Sequence, residues 1–186
     1  GMPKLVMFAE FTSDNEDEAR AEARAAQESL RDLNVNTRVT KSQKEVQKYF
    51  TVRRESFNLL RHHVKGKRTA PFIDDFVVAP AYLPEFFPKL WKLLEPYKKY
   101  MTHTIAGHVG DGNFHIIPLM HLDTPRAKKV IVELSEKVYT LVSRYEGSYS
   151  GEHNDGIVRT PYLEKMYGRK KQITDLVQFD LWNNSF

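Results

Sequence analysis

The sequence predicts an α+β domain of the ferredoxin-like type, whose largely antiparallel sheet carries helices packed on one face. Strand-like and helix-like hydrophobic patterns alternate along the 186 residues, which is typical of a mixed fold. The dipeptide Asp111-Gly112 lies between two strand-like segments and is typical of the tight turn of an antiparallel hairpin. Hydrophobic residues make up 41% of the chain and charged residues 28%, as in an ordinary globular domain.

The predicted strands are short apolar runs bounded by turn residues. In chain order they are Leu5–Phe11, Val35–Val39, Ile73–Ala79, Met101–Val109, Phe114–Leu119 and a short strand that begins around Glu146-Gly147-Ser148-Tyr149. The predicted helices begin at capping residues and carry apolar residues at helical spacing. They run from Ser13 or Asp14 to about Leu33, from Ser42 onward with Glu45 in a capping box, from Leu83 to Tyr97, and from Thr124-Pro125 to about Tyr145. Short helices are expected after the last strand.

The composition excludes several kinds of chemistry. The chain has no cysteine, so it contains no disulfide, no thiolate-bound zinc, no iron–sulfur ligand and no cysteine nucleophile. Its formal net charge of +4, from 28 basic and 24 acidic residues, is too small and too dispersed to indicate a nucleic-acid partner. No apolar run approaches the roughly 18 residues that span a bilayer, and the N-terminus lacks a signal-peptide pattern. We therefore expect a protein of the cytoplasm, or one peripheral to a membrane, without a transmembrane segment.

The most informative stretch is Gly107-His108-Val109-Gly110-Asp111-Gly112-Asn113-Phe114-His115. With Asp111-Gly112 as a two-residue turn, His108 pairs directly with His115, and both imidazoles project from the same face of the hairpin. Two imidazoles so placed can chelate one divalent ion, and the glycines leave room for a ligand to approach. The alternative interpretation is that both histidines are half-buried strand residues that hydrogen-bond to their neighbours.

A second cluster is Ser150-Gly151-Glu152-His153-Asn154-Asp155-Gly156. A carboxylate beside an imidazole, flanked by glycines, suits one metal ligand plus one acid–base group, although the stretch alone could also be a simple turn. Together the two clusters supply the nitrogen and oxygen donors of a zinc- or manganese-type site with an open position for a substrate.

The paired clusters resemble the two hallmark motifs of the FAD-linked oxidase C-terminal domain. This is the cap or substrate domain of D-lactate dehydrogenase, glycolate oxidase D-subunit and D-2-hydroxyglutarate dehydrogenase flavoenzymes. The resemblance extends from Leu5 to about Asp180. It implies a cap domain over residues 2–180, a divergent tail over residues 181–186, and an FAD-binding domain outside this chain, in the same full-length protein or in a partner subunit. The residues after Asn154 look closest to long bacterial members that also carry an iron–sulfur segment as electron acceptor.

The resemblance also implies an oxidoreductase mechanism with FAD as cofactor and a small 2-hydroxy acid as substrate. His108, His115 and Glu152 would hold a divalent metal of the zinc or manganese type, which would bind the substrate's carboxylate and 2-hydroxyl group. His153 would take the hydroxyl proton, while hydride passes from C2 to flavin N5. Arg53 would bind the substrate carboxylate. The motif residues expected near the flavin or substrate side are Gly110, Gly112 and Asn113.

Two positions depart from the family's pattern. Ile117 stands where some members carry a substrate-binding asparagine, and Asn154 stands where many members have glycine. Alone, the chain is expected to bind metal without oxidising a substrate. Two alternatives remain open. One is a stand-alone cap-like subunit or binding module that docks on a separate flavoprotein chain and has no activity of its own. The other is a metal-dependent hydrolase that uses the same ligands.

Overall fold

In a computed structural model the chain divides into two compact units, Gly1–Ser56 and Phe57–Phe186. The structure describes residues 5–154 and 156–168, without the side chains of residues 56, 57 and 59–63. The predicted tail over residues 181–186 and the end of the predicted cap domain lie outside the described residues. Within the described part of the chain, no helix has both the length and the apolar character needed to cross a bilayer.

The first unit contains helix α1, Glu16–Ser29, and the beginning of helix α2, Gln43–His63. Helix α2 begins where the capping pattern predicts. The hydroxyl of Ser42 accepts a hydrogen bond from the backbone N–H of Glu45 at 3.3 Å. The Glu45 carboxylate reaches back and accepts the backbone N–H of Lys41 at 2.8 Å. The predicted capping box is therefore present, except that Glu45 accepts the N–H of Lys41 and not that of the cap residue Ser42.

The two strands predicted for the first unit are wrong. Leu5–Phe11 and Val35–Val39 form no strand, and Leu5, Met7 and Val35 are exposed. Their apolar pattern indicates a strand, but a strand also needs a neighbour that accepts and donates its backbone hydrogen bonds. Among the described residues of this unit, no strand supplies such a neighbour.

The second unit is built on an antiparallel sheet with one long strand at its centre. Its strands are β1, Arg68–Thr69; β2, Ile73–Val77; β3, Met101–His108; and β4, Asn113–Met120. Strand β4 pairs with β3 along one side and with β2 and β1 along the other, always antiparallel. A single antiparallel bridge joins Val77 to Ser148, where the sequence predicts the last strand. The resulting order, bridge–β2–β4–β3, is that of a ferredoxin-like sheet, so the predicted fold class is confirmed.

Two helices cover one face of this sheet and form its core. They are α3, Leu83–Leu94, and α4, Pro125–Arg144, which starts at the predicted cap Thr124. Their apolar stripes pack on each other and on the sheet, where Phe86, Leu134 and Ile116 are fully buried. Two short helices follow the bridge, α5, Gly156–Arg159, and α6, Leu163–Tyr167.

The alternation of β4 separates its two faces and so places the candidate site. Phe114, Ile116 and Met120 belong to the core under the helices. Because neighbouring residues of a strand point to opposite faces, Asn113 and His115 lie on the face away from the helices. The chemistry-bearing residues of the hairpin therefore gather on the face that the helices leave open.

Candidate metal centre

The hairpin register differs from the predicted one. His108 pairs with Asn113, and His115 pairs with Ala106, so the two histidines are not directly opposite each other. The reason is the turn, which is a four-residue loop over residues 109–112 that ends at Gly112 in the left-handed conformation, with φ of 69°. The register is displaced by an even number of residues, so both imidazoles still project from one face. Their ring centroids are 6.2 Å apart, as diagonal neighbours on that face.

Three imidazoles converge on one carboxylate oxygen. Oε1 of Glu152 lies 3.0 Å from Nε2 of His115, 3.5 Å from Nε2 of His153 and 3.6 Å from Nε2 of His108. The predicted ligands His108, His115 and Glu152 each offer a donor atom, and these atoms all lie within 4.8 Å of one another. The two sequence clusters, some forty residues apart, are thus brought together at a single point.

A β-bulge adds two acidic residues to the site. Ile73 pairs with Ile116 and Phe76 pairs with Phe114, so Asp74 and Asp75 together lie opposite His115. Asp74 Oδ1 is 3.1 Å from His115 Nδ1, which is a hydrogen-bond distance, and Asp74 Oδ2 is 3.6 Å from His153 Nδ1. The sequence analysis did not identify either aspartate, although two adjacent acids within an apolar strand are a signal that could have found them.

Asp75 fixes the loop that carries Glu152 and His153. It is fully buried and has a positive φ of 64°. Its carboxylate accepts the backbone N–H groups of Gly151, Glu152 and His153 at 2.9–3.1 Å, and the side-chain amide of Asn113 at 3.0 Å. Burial raises the pKa of Asp75, but these hydrogen bonds outweigh burial and lower the pKa to about 2. A carboxylate that is charged at every ordinary pH therefore holds the loop in place.

Gly151 lets this loop approach the strand closely. A Cβ at Gly151 would lie 2.2 Å from Nδ2 of Asn113 and 2.9 Å from Oδ1 of Asp75. At Gly110, by contrast, a Cβ would meet no atom within 4 Å. Gly112 was also predicted to leave room around the site. The structure requires glycine there because a Cβ would lie 1.8 Å from the carbonyl oxygen of Val78.

Arg159 is a third buried residue, after Asp74 and Asp75, that the sequence analysis did not identify. Its guanidinium donates to the backbone oxygen of Asp74 at 3.1 Å and to that of Asn154, and it lies 3.7 Å from Asp75 Oδ2. Asn154 has a positive φ of 61°, a conformation that asparagine tolerates better than most residues with a side chain. That conformation explains how asparagine can stand where glycine is common.

The charges around the imidazoles favour a cation. The carboxylates of Asp74 and Glu152 contact the imidazoles, and that of Asp75 lies 3.7 Å from the guanidinium of Arg159. The formal charges of these four groups sum to −2 when the imidazoles are neutral. The hydrogen bond to Asp74 raises the pKa of His115; burial opposes this, and the nearby carboxylates add to it. In the absence of a metal, a proton on His115 is therefore stabilised between two acids.

The donor set fits a divalent metal of the predicted kind. Two imidazole nitrogens and a carboxylate oxygen are ligands that zinc and manganese accept. Two donors bound to one ion at about 2.1 Å lie about 3.0–3.4 Å apart, close to the 3.0 and 3.6 Å between Glu152 Oε1 and the nitrogens of His115 and His108. The roles of His108, His115 and Glu152 as ligands, and of His153 as base, stay predictions.

The other predicted residues have different surroundings. Arg53 lies on helix α2 in the first unit, and its role in substrate binding stays a prediction. Gly110 and Gly112 lie in the hairpin loop. Asn113 is buried, and its amide binds Asp75, which is a structural contact that the motif did not predict. Ile117 follows His115 on the same face of β4, so an apolar residue is the next neighbour of His115 on that face.

Comparisons with known proteins found a matching family and several relatives. Residues 3–172 match the family described as FAD linked oxidases, C-terminal domain. A D-2-hydroxyglutarate dehydrogenase of Pseudomonas putida is 29% identical over 123 residues, which cover 66% of this chain and 12% of that protein. A D-lactate dehydrogenase of Archaeoglobus fulgidus is 30% identical over 164 residues, which cover 88% of this chain and 32% of that protein. The matched part of the chain thus corresponds to between about one eighth and one third of these relatives.

Proposed function

The chain belongs to the family of C-terminal domains of FAD-linked oxidases, and we propose that it is the substrate- and metal-binding part of an FAD-dependent 2-hydroxy-acid dehydrogenase. The observation that carries this proposal is the convergence of His108, His115 and Glu152 on the open face of the sheet. We propose the FAD-binding domain to lie outside this chain, either in a longer protein or in a partner subunit. An iron–sulfur segment as electron acceptor stays a prediction.

In this proposal His108, His115 and Glu152 hold a divalent cation of the zinc or manganese type. Bound there, the ion acts as a Lewis acid that lowers the pKa of a substrate hydroxyl and neutralises the substrate carboxylate. The surrounding carboxylates of Asp74 and Asp75 keep the site negative, which favours a dication over a monocation.

His153 is proposed as the base that takes the hydroxyl proton. Its side chain is about half exposed, so it can exchange the proton with water after each turnover. Its ring stacks on that of His115, with centroids 4.8 Å apart and planes inclined by 16°, which fixes its place beside the ligands. An FAD-binding domain would supply the hydride acceptor for C2, and together with loss of the hydroxyl proton to His153 this would convert the 2-hydroxy acid to a 2-oxo acid.

A metal titration of the purified chain tests the first half of the proposal. We expect Zn²⁺ or Mn²⁺ to bind at a ratio of about one ion per chain by calorimetry, and His108→Ala to weaken binding at least tenfold. His121→Ala is the matched control, because it removes an exposed imidazole outside the cluster. A chain that binds neither ion, or a His108→Ala variant that binds as the wild type does, contradicts the proposed metal centre.

A ligand titration tests the substrate class. The metal-loaded chain should bind D-lactate, glycolate or D-2-hydroxyglutarate more tightly than the corresponding acid that lacks the 2-hydroxyl group. Arg53→Ala should weaken this binding if Arg53 contacts the carboxylate. Hydrolysis of an ester or phosphoester by the loaded chain without flavin would favour a hydrolase instead.

A further inference from the structure

Strand β2 places a nearly buried carboxylate, that of Asp74, beside the candidate ligands at its bulge. Ile73 and Phe76 both lie in the core although they are three residues apart, which a regular strand does not allow. Asp74 follows the core residue Ile73 and so points to the open face, toward His115, while the left-handed Asp75 restores Phe76 to the core. Only 11% of the Asp74 side chain is exposed. The backbone oxygen of Asp74 also accepts a hydrogen bond from Arg159 at 3.1 Å, so Asp74 is held from both sides.

The rings of His115 and His153 have the same orientation relative to two acids. Their Nδ1 atoms face Asp74, at 3.1 and 3.6 Å, and their Nε2 atoms face Glu152 Oε1, at 3.0 and 3.5 Å. The near-parallel stacking of the two rings keeps this arrangement. Asp74 is therefore on the side of each imidazole opposite to the candidate metal ligand Glu152.

We propose that Asp74 is a positioning residue that fixes the tautomer of His115. It accepts the Nδ1–H of His115 and leaves the lone pair on Nε2, which is the nitrogen that faces Glu152. The competing acceptor is the Glu152 carboxylate, whose Oε1 lies 3.0 Å from Nε2. The Glu152 side chain is 47% exposed and screened by water, whereas the Asp74 side chain is 11% exposed and its contact with Nδ1 has hydrogen-bond geometry, so the Nδ1–H tautomer is favoured. The second oxygen of Asp74 lies 3.6 Å from Nδ1 of His153, which is too far for a hydrogen bond, so the proposal concerns His115 alone. This inference deepens the proposed function, on which it rests only for the use of Nε2 as a metal donor.

The tautomer can be measured without any metal. Long-range ¹⁵N–¹H correlation spectra of the metal-free chain at alkaline pH distinguish a protonated Nδ1 from a protonated Nε2, and the signal of His115 is assigned by its loss in His115→Gln. We expect the Nδ1–H form in the wild type. In Asp74→Asn we expect the Nε2–H form or a mixture. Asp123→Asn is the matched control, because it also removes one negative charge but at an exposed site beside Arg68, and it should leave the tautomer unchanged.

Zinc affinity gives the functional readout. Asp74→Asn should raise the dissociation constant about 10- to 100-fold, while Asp123→Asn should stay within about twofold of the wild type. A wild-type His115 in the Nε2–H form overturns the inference even if Asp74→Asn does not fold, and so does an unchanged tautomer in a folded variant. Unchanged zinc affinity in Asp74→Asn overturns the link to metal binding. If the wild type binds no metal, the proposed function fails while the tautomer result still decides the role of Asp74.

Discussion

Replacing Asp75 with asparagine should destabilise the fold in a manner that depends on pH. Asparagine has nearly the same shape and also tolerates the left-handed backbone at this position, so the substitution removes the charge with little steric change. It leaves an amide in place of a carboxylate that accepts three backbone N–H groups from Gly151, Glu152 and His153. The amide cannot accept all of them, so buried donors lose partners.

The size of the effect follows from the pKa of Asp75. Its pKa falls from 3.8 to about 2 in the folded chain, which corresponds to about 2 kcal/mol of stability at about 1.4 kcal/mol per pH unit. Because the folded pKa is the lower one, this stability is fully present above the unfolded pKa and is lost as the pH falls through about 2. The unpaired N–H groups of the asparagine variant add to the loss, so we expect Asp75→Asn to cost about 2–4 kcal/mol at neutral pH.

Urea denaturation at a series of pH values measures this difference. The gap in unfolding free energy between wild type and Asp75→Asn should shrink by about 2 kcal/mol between about pH 5 and pH 2. Asp123→Asn, at an exposed carboxylate, should show no such dependence on pH. A gap that stays constant over this range, or one below about 0.5 kcal/mol at neutral pH, would refute the reasoning that Asp75 is charged and holds the loop.

Three further predictions concern the loop, the core and the metal. Gly151→Ala should cost about 1–3 kcal/mol in urea denaturation because its Cβ would meet the buried, hydrogen-bonded side chains of Asn113 and Asp75, whereas Gly110→Ala, with open space around it, should be near neutral. Leu134→Ala should cost about 2–5 kcal/mol because Leu134 is fully buried, and Val132→Ala on the same helix, where the side chain is exposed, should change stability by less than about 0.5 kcal/mol. Zinc at 100 times its dissociation constant should stabilise the chain by about 2.7 kcal/mol and raise its Tm by about 5–10 °C, and at the same zinc concentration the rise should fall to about half or less in His108→Ala.

Local signals predicted the parts of the fold that depend on local contacts. The cap of α4 at Thr124 and the cap of α2 at Ser42 are hydrogen bonds between residues three apart, so the local sequence is enough to predict them. The strands predicted over Leu5–Phe11 and Val35–Val39 failed because a strand depends on a partner that no local pattern specifies. The hairpin was predicted in part. Its two strands form as predicted, but its turn is longer than the Asp111-Gly112 dipeptide suggested.

The residues of the candidate site also differ in how far the sequence alone predicts them. The residues that offer donor atoms, such as His108 and Glu152, stand in motifs and could be found from the sequence. Asp74 and Asp75 stand out in the sequence as adjacent acids in an apolar strand, but what they contact could not be predicted, because it depends on the pairing of β2 with β4 and on the bulge at Asp75. The two aspartates are adjacent in sequence but serve different partners, since Asp74 faces the imidazoles and Asp75 faces the backbone of the loop.

The bulge explains why two consecutive acids can serve one site. In a regular strand Asp74 and Asp75 would point to opposite faces, and one of them would be buried in the apolar core without a partner. The left-handed conformation of Asp75 instead turns both carboxylates to the open face. Such a conformation costs about 1–2 kcal/mol, which the three N–H groups that Asp75 accepts offset. Backbone strain at this point is thus tied to the loop that carries Glu152, so relaxing the bulge should displace a candidate ligand as well as the acid beside His115.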